Sequence, residues 1–290
     1  MKIDEIKIIE HSKEIEISGI SGFDLKKTFE CGQCFRWDMA DGNFSESKNP
    51  CYIGVAFGKV LKIRAVEDSI FMSCTMQEYN NIWSDYFDTQ RNYSDIRKQL
   101  CIDDFMKSAT DFGKGIRILK QDCWEALCSF IISQNNNIPR IKSIINTLCR
   151  EFGDLIKYEN LDYYSFPSAE KIANLSVEDL SPLRCGYRAQ YLIRCAMSVV
   201  FGDINLKSLI DETPDIIREK LKALHGVGDK VADCVMLFGM NKLDVFPVDI
   251  WMKRAVVKHY SPGFDPSIFN PYAGIAQQYI FNYMRSSVTF

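Results

Sequence analysis

The apolar pattern changes its period once along this chain, and that change limits the folds open to it. Up to Val66 the apolar residues come in short, partly alternating runs, EIEISGI, CFRWDM, YIGVAF and VLKIRAV, the last two joined by a turn at Gly58-Lys59. Alternation of period two marks half-buried strands, and these closely spaced runs predict an antiparallel sheet. Helical spacing first shows near Glu78 to Leu100 and takes over from about Gly115, in CWEALCSFIIS, IPRIKSIINTLCREF, YRAQYLIRCAMSVVF and DIIREKLKAL. Pro139 suits a first helical turn and Asn137 its cap, so NNNIPR reads as a corner between helices. The expected architecture is α+β: an N-terminal antiparallel β-sheet domain with helices over residues 1–114, then a mainly α-helical domain over 115–290.

Composition removes several function classes. With 290 residues and 47% hydrophobic content the chain buries a substantial core. MKIDEIKIIEHSKEIEI holds neither a signal-peptide apolar region nor a membrane-spanning run, so a cytoplasmic location is expected. The 11 cysteines lack framework spacing and read as reduced, mostly buried thiols. Cys31 and Cys34 form a CxxC, but no second pair stands at zinc spacing and only His11, His225 and His259 add nitrogen ligands. No cysteine follows Cys234, which removes a C-terminal iron–sulfur set. A metal centre is therefore not expected. The net charge of −3 gives no general affinity for nucleic acid. Two stretches differ: Ala126–Arg150 has no acid but carries Arg140, Lys142 and Arg150, and Pro182–Gly202 has none but carries Arg184, Arg188 and Arg194.

Between the helical patterns PDIIREKLKAL and DKVADCVMLFGM sits HGVG, so the local reading over about 215–240 is helix, hairpin, helix. Glycine loops that bind nucleotides follow a strand and have other spacings, which excludes them here. Gly226 and Gly228 let the backbone turn sharply and expose N–H groups beside a helix start, where one backbone phosphate of a nucleic acid fits without sequence readout. A tight interhelical turn with no ligand explains GVG equally well. Lys230 shifts the balance: an ammonium on a first helical turn is disfavoured by about 0.3–1 kcal/mol. The same field, with partial desolvation, favours the neutral amine that attacks an electrophilic carbon. Asp249 follows the complementary logic as N-cap of the helix in PVDIWMKRAVVKHY, where an anion is stabilised and faces a developing positive charge.

LHGVGDKVADC followed by VFPVD resembles the helix-hairpin-helix DNA glycosylase superfamily, whose glycine/proline-rich region leads to an essential aspartate and whose bifunctional members carry the hairpin lysine. GQCFRW, SFIISQNNNIPRI, GYRAQY and PYAGIAQQYIF are similar, in the same order, to segments of the 8-oxoguanine DNA glycosylase/lyase family. The resemblance implies an enzyme that flips 8-oxoguanine out of double-stranded DNA, excises it through a Schiff base on Lys230 with Asp249 as the stabilising carboxylate, and cuts the abasic strand. Flipping costs a few kcal/mol, which contacts on both strands offset.

By the same resemblance, the Gly32 carbonyl would meet the N7 hydrogen that guanine lacks, and Gln277 would bond the Watson–Crick edge. Phe281 and Cys234 would pack on the two faces of the base, and Pro247 would line the pocket. Asn135, Arg140 and Arg188 would bind the orphaned cytosine while Tyr187 wedges into the duplex; Gly226 and Gly228 would hold backbone phosphate. No cofactor is implied beyond a structural monovalent cation at the hairpin, held by carbonyls, and the protein is expected to act as a monomer. His225 stands where relatives often have proline, Trp251 where animal members have histidine, and the chain is compact between Arg254 and Tyr272. Another lesion specificity on the same scaffold, or a non-catalytic DNA-binding module, remains as an alternative.

Overall fold

A computed structural model describes residues 6–20, 22–40, 50–260 and 262–286. By contact the chain forms two compact units, one of residues 1–54, 61–120 and 248–290, the other of 55–60 and 121–247. This grouping and the division by chain order at 114/115 differ chiefly in where residues 248–290 go.

The sheet, which lies in the first unit apart from residues 55–60 at the β4–β5 turn, has strands β1 (Lys7–Glu10), β2 (Ile15–Ser18), β3 (Trp37–Met39), β4 (Cys51–Ala56), β5 (Lys59–Val66) and β6 (Ser69–Met72), in the order β1-β2-β6-β5-β4-β3. The pairings β1–β2, β2–β6, β3–β4 and β5–β6 are antiparallel. Alternation decides which face is buried: Ile15 and Ile17 of β2, Leu61 and Ile63 of β5, and Ile70 and Met72 of β6 point inward. The turn joining β4 to β5 falls one residue earlier than the sequence suggests, on Phe57 and Gly58, both with positive φ (51° and 70°), as a two-residue hairpin on twisted strands requires. Phe29 stacks on Trp37 with centroids 4.4 Å apart, and Trp37 Nε1 donates to Tyr86 Oη at 2.7 Å, so the core indole is both packed and satisfied.

Two late helices, Ile250–His259 and Ala273–Ser286, belong to this unit. The second packs on the helix Asp104–Phe112, and Gly113 admits Tyr279, whose Cδ1 lies 2.4 Å from where a Cβ on that glycine would stand.

The second unit is helical, with Cys123–Ser133, Ile138–Phe152, Ala169–Ala173, Arg188–Val200, Pro214–Lys222 and Asp229–Gly239. Asn137 Oδ1 caps the second of these by accepting from Arg140 N at 3.0 Å, with Pro139 in its first turn. A short hairpin, Leu155–Tyr158 with Leu161–Tyr164, interrupts the helices. Its strands of four residues are too short and too exposed to show an alternating pattern in the sequence.

Gln33, from the GQCFRW motif, is fully buried and binds three backbone positions. Its Nε2 donates to the carbonyls of Thr28 (2.9 Å) and Arg117 (2.8 Å), and its Oε1 accepts from Leu119 N (2.9 Å). Replacement by Met keeps the volume but strands those groups; each unpaired buried group costs about 1–3 kcal/mol. Gln33→Met should therefore lose about 3 kcal/mol in urea unfolding, and a loss below about 1 kcal/mol would show that the clamp is dispensable.

Candidate functional site

In the second unit the helix Pro214–Lys222 runs into a tight turn, with Leu224 N bonded to Leu221 O (3.1 Å) and Val227 N to Leu224 O (3.2 Å). Val227 anchors the turn inward, while Gly228 stays exposed. Gly226 adopts φ +84°, and a Cβ on it would stand 2.3 Å from the Tyr191 ring. Gly228 differs: it is the N-cap of Asp229–Gly239, offers no side chain to the helix N–H groups, and faces open space. A helix start with unfilled donors and an exposed approach receives an anion. Arg218 links the helices on either side of the turn, its Nε meeting Asp233 Oδ1 at 2.9 Å.

Lys230 lies on the first turn after this uncapped start and is half-buried. Its Nζ stands 4.9 Å from the Phe130 ring centroid and 3.5 Å from Ser133 Oγ, both on the helix Cys123–Ser133. Cys234, one turn further on, and Pro247 are buried in the same unit. Phe130 and Ser133 escape a sequence reading because each looks like an ordinary position of an apolar helix.

The acid-free segments meet in this unit. Asn135 is exposed with φ +46°, and Arg140 is exposed with its Nη2 on Arg184 O at 3.1 Å. Tyr187 is exposed, and the Arg188 guanidinium lies 4.6 Å from its ring centroid. Arg188 itself is 4% exposed. Its Nε and Nη2 bond the carbonyl of Gln134, its Nη2 also reaches Asn135 O (3.2 Å), and its Nη1 donates to Cys185 O (3.1 Å). A cation in this position is held by backbone before any other partner.

The first unit carries the remaining candidates. Gly32 has φ +87° in the bend after the helix Leu25–Glu30, a conformation suited to glycine. The neighbouring thiols form no disulfide: Cys31 Sγ donates to Thr28 O (3.4 Å), Cys34 Sγ to Phe29 O (3.7 Å), and burial pushes the Cys31 thiol up to about 11. Gln277 is buried and its Oε1 accepts from Gln278 Nε2 at 2.8 Å. Phe281 is half-buried, with Arg285 Cζ 5.9 Å from its ring centroid. The same Arg285 donates from Nη2 to Glu30 O at 3.0 Å, which ties the helix of Gln277 and Phe281 to the bend of Gly32. Asp249 caps Ile250–His259, its Oδ1 accepting from Met252 N at 2.9 Å. Among the described residues no three His, Cys, Asp or Glu side chains gather to hold a metal.

A glycine hairpin between two helices defines a helix-hairpin-helix protein, and residues 128–267 match the HhH-GPD superfamily of base excision DNA repair proteins. Residues 16–127 match the N-terminal domain of 8-oxoguanine DNA glycosylase. The chain belongs to the 8-oxoguanine DNA glycosylase family. A solved 8-oxoguanine glycosylase/lyase of Clostridium acetobutylicum, in complex with double-stranded DNA containing cytosine opposite 8-oxoguanine, is 36% identical with a TM-score of 0.89, covering 99% of each chain. A probable N-glycosylase/DNA lyase of Methanothermobacter thermautotrophicus is 27% identical over 92% of this chain and 95% of that protein. The N-glycosylase/DNA lyase of Saccharomyces cerevisiae is 40% identical over 51% of this chain, a stretch spanning 42% of the yeast protein.

The two hairpin glycines serve different ends, and alanine separates them. At Gly226 an added methyl meets both the left-handed penalty and the Tyr191 ring, so Gly226→Ala should lose about 2 kcal/mol or more. At Gly228 it meets nothing, so Gly228→Ala should lose less than about 1 kcal/mol, the cost of alanine at an N-cap. Urea unfolding checks both, and equal losses would contradict the distinction.

Proposed function

We propose that this chain excises 8-oxoguanine from duplex DNA through a lysine Schiff base and cleaves the abasic strand by β-elimination. The observation that carries this reading is Lys230, half-buried on the first turn beyond an uncapped glycine hairpin, in a chain similar to the Clostridium enzyme over nearly its whole length. Lys230 Nζ attacks C1′ of the lesion nucleotide; the C1′–N9 bond breaks and its electron pair leaves with the base, which takes up a proton. Opening of the C1′–O4′ bond gives the Schiff base, and removal of a C2′ proton then expels the 3′-phosphate. Asp249 stabilises the positive charge that develops on the sugar.

Around this chemistry the Gly32 carbonyl accepts from the N7 hydrogen, Gln277 bonds the Watson–Crick edge, and Phe281, Cys234 and Pro247 enclose the base. Asn135, Arg140 and Arg188 serve the orphaned cytosine, Tyr187 fills the vacated stack, and Gly226 and Gly228 present N–H groups to backbone phosphate. The left-handed backbone of Asn135, the exposure of Tyr187 and the uncapped helix start support these assignments. A monovalent cation at the hairpin, held by carbonyls, belongs to the same reading, as does action as a monomer in the cytoplasm; among the described residues no helix is long and apolar enough to cross a membrane. The functional division follows chain order, with the sheet-bearing part at 1–114 and the glycosylase part at 115–290.

Sodium borohydride should trap a covalent adduct between the protein and a lesion duplex. Lys230→Gln should abolish that adduct while lesion binding persists, since the hairpin N–H groups remain; an undiminished adduct removes Lys230 from the mechanism. Asp249→Asn keeps the cap acceptor and loses the charge. Folding and binding should then be nearly retained while single-turnover excision slows by roughly two to three orders of magnitude. Excision at the wild-type rate would leave Asp249 as a cap alone.

A further inference from the structure

The helix Cys123–Ser133 ends at Gln134, which is held through both its side chain and its backbone. Its Nε2 donates to the carbonyl of Gly226 at 3.0 Å and to that of Ile131 at 3.3 Å. Its own carbonyl accepts from Arg188 Nε at 3.1 Å and from Arg188 Nη2, which also reaches the carbonyl of Asn135. From Arg188 the contacts continue through rings: the guanidinium lies 4.6 Å from the Tyr187 centroid, Tyr187 meets Tyr191 at 5.3 Å, and Tyr191 meets His225 at 4.9 Å. Tyr191 also occupies the space that a side chain on Gly226 would need. The path thus closes on itself, from hairpin to Gln134 to Arg188 to the tyrosines and back.

Two of its members have backbones that need outside support. Gly226 at φ +84° has no side chain to restrain it, and a rotation of its peptide would re-aim the N–H groups that follow. Asn135 at φ +46° is left-handed, a region few non-glycine residues enter and asparagine among the most readily, so its cost is small and its conformation easily lost. The Gln134 amide fixes the first by its carbonyl, and the Gln134 backbone, gripped by Arg188, fixes the approach to the second.

We infer that Gln134 is a positioning residue for opposite-base selectivity: it couples the phosphate-holding hairpin to the Asn135 strap, so that the two engage the duplex in one fixed relation. This rests on the proposed function, in which the hairpin takes phosphate and the strap takes the orphaned base. An amide is needed because the bond runs to a carbonyl; leucine of similar size fills the space and donates nothing.

The test compares single-turnover excision from lesion:cytosine and lesion:adenine duplexes. In Gln134→Leu the cytosine-to-adenine rate ratio should fall roughly five-fold, the worth of one net hydrogen bond. A purely structural role would lower the active fraction and both rates together, leaving the ratio unchanged. Gln134→Glu, which keeps the shape and puts an acceptor against the Gly226 carbonyl, should lower the ratio at least as far and serves if the leucine variant does not fold. Combined with Arg188→Lys, the loss should be less than the product of the single losses, because both changes cut the same path. An unchanged ratio in a folded variant, multiplicative losses, or a wild-type protein indifferent to the opposite base overturns the inference. Borohydride trapping of the wild type separates this failure from that of the function: adduct with an unchanged ratio removes only the role of Gln134, and no adduct on any lesion duplex removes both.

Discussion

The position of Lys230 depends on the buried face shared by the helices Cys123–Ser133 and Asp229–Gly239. Gly239 lets the backbones approach, since a Cβ there would stand 3.2 Å from Cys123 Cα and 3.1 Å from Ala126 Cβ. Cys123 Sγ donates to Gly239 O at 3.0 Å, and Phe130 stacks on Phe238 with centroids 5.3 Å apart. The Phe130 ring that takes part in this packing is also the surface over which the Lys230 ammonium lies. An amine on an exposed turn samples many rotamers; one set against an aromatic face and a hydroxyl is restricted before substrate arrives. The same core contact thereby restricts the Lys230 side chain.

Two helix starts in the molecule are finished in opposite ways. Asp249 satisfies its own helix, one carboxylate oxygen on the Met252 N–H. Gly228 has no side chain to cap with, and the first N–H donors of Asp229–Gly239 have no side-chain acceptor from it and stay available to an outside anion. Asp229 would repel such an anion, but its carboxylate, held ionised below the usual range by the hydrogen bond and charge of Lys222, is offset by that lysine's own positive charge 2.5 Å away. The positive end of that helix is thereby kept open in a protein of net charge −3.

Most of the local structure was legible because it rests on local rules. CWEALCSFIIS and IPRIKSIINTLCREF form helices over the residues their spacing marks, Asn137 and Asp249 cap as their types suggest, and the buried cysteines follow from a chain without framework spacing. What escaped the sequence depends on distant contacts. The return of residues 248–290 to the first unit is set by the packing of Ala273–Ser286 on Asp104–Phe112, which no periodicity encodes. Strands β1 and β6 are four residues each and need partners to declare themselves. In the site, Ser133, Gln134 and Arg285 act through bonds to residues far along the chain, and their types alone give no sign of it.

Arg188 shows how burial changes the meaning of a motif residue. The resemblance gives it to the orphaned base, and in the free protein its buried guanidinium already donates to the carbonyls of Gln134, Asn135 and Cys185. Burying an arginine costs several kcal/mol unless its N–H groups are met, and backbone carbonyls meet them without a competing negative charge. The return is a strap whose left-handed residue is held by charge-assisted bonds in the free protein. A backbone ordered in this way in the free protein has already met the entropy of fixing it on folding, so no later contact there has to meet it again.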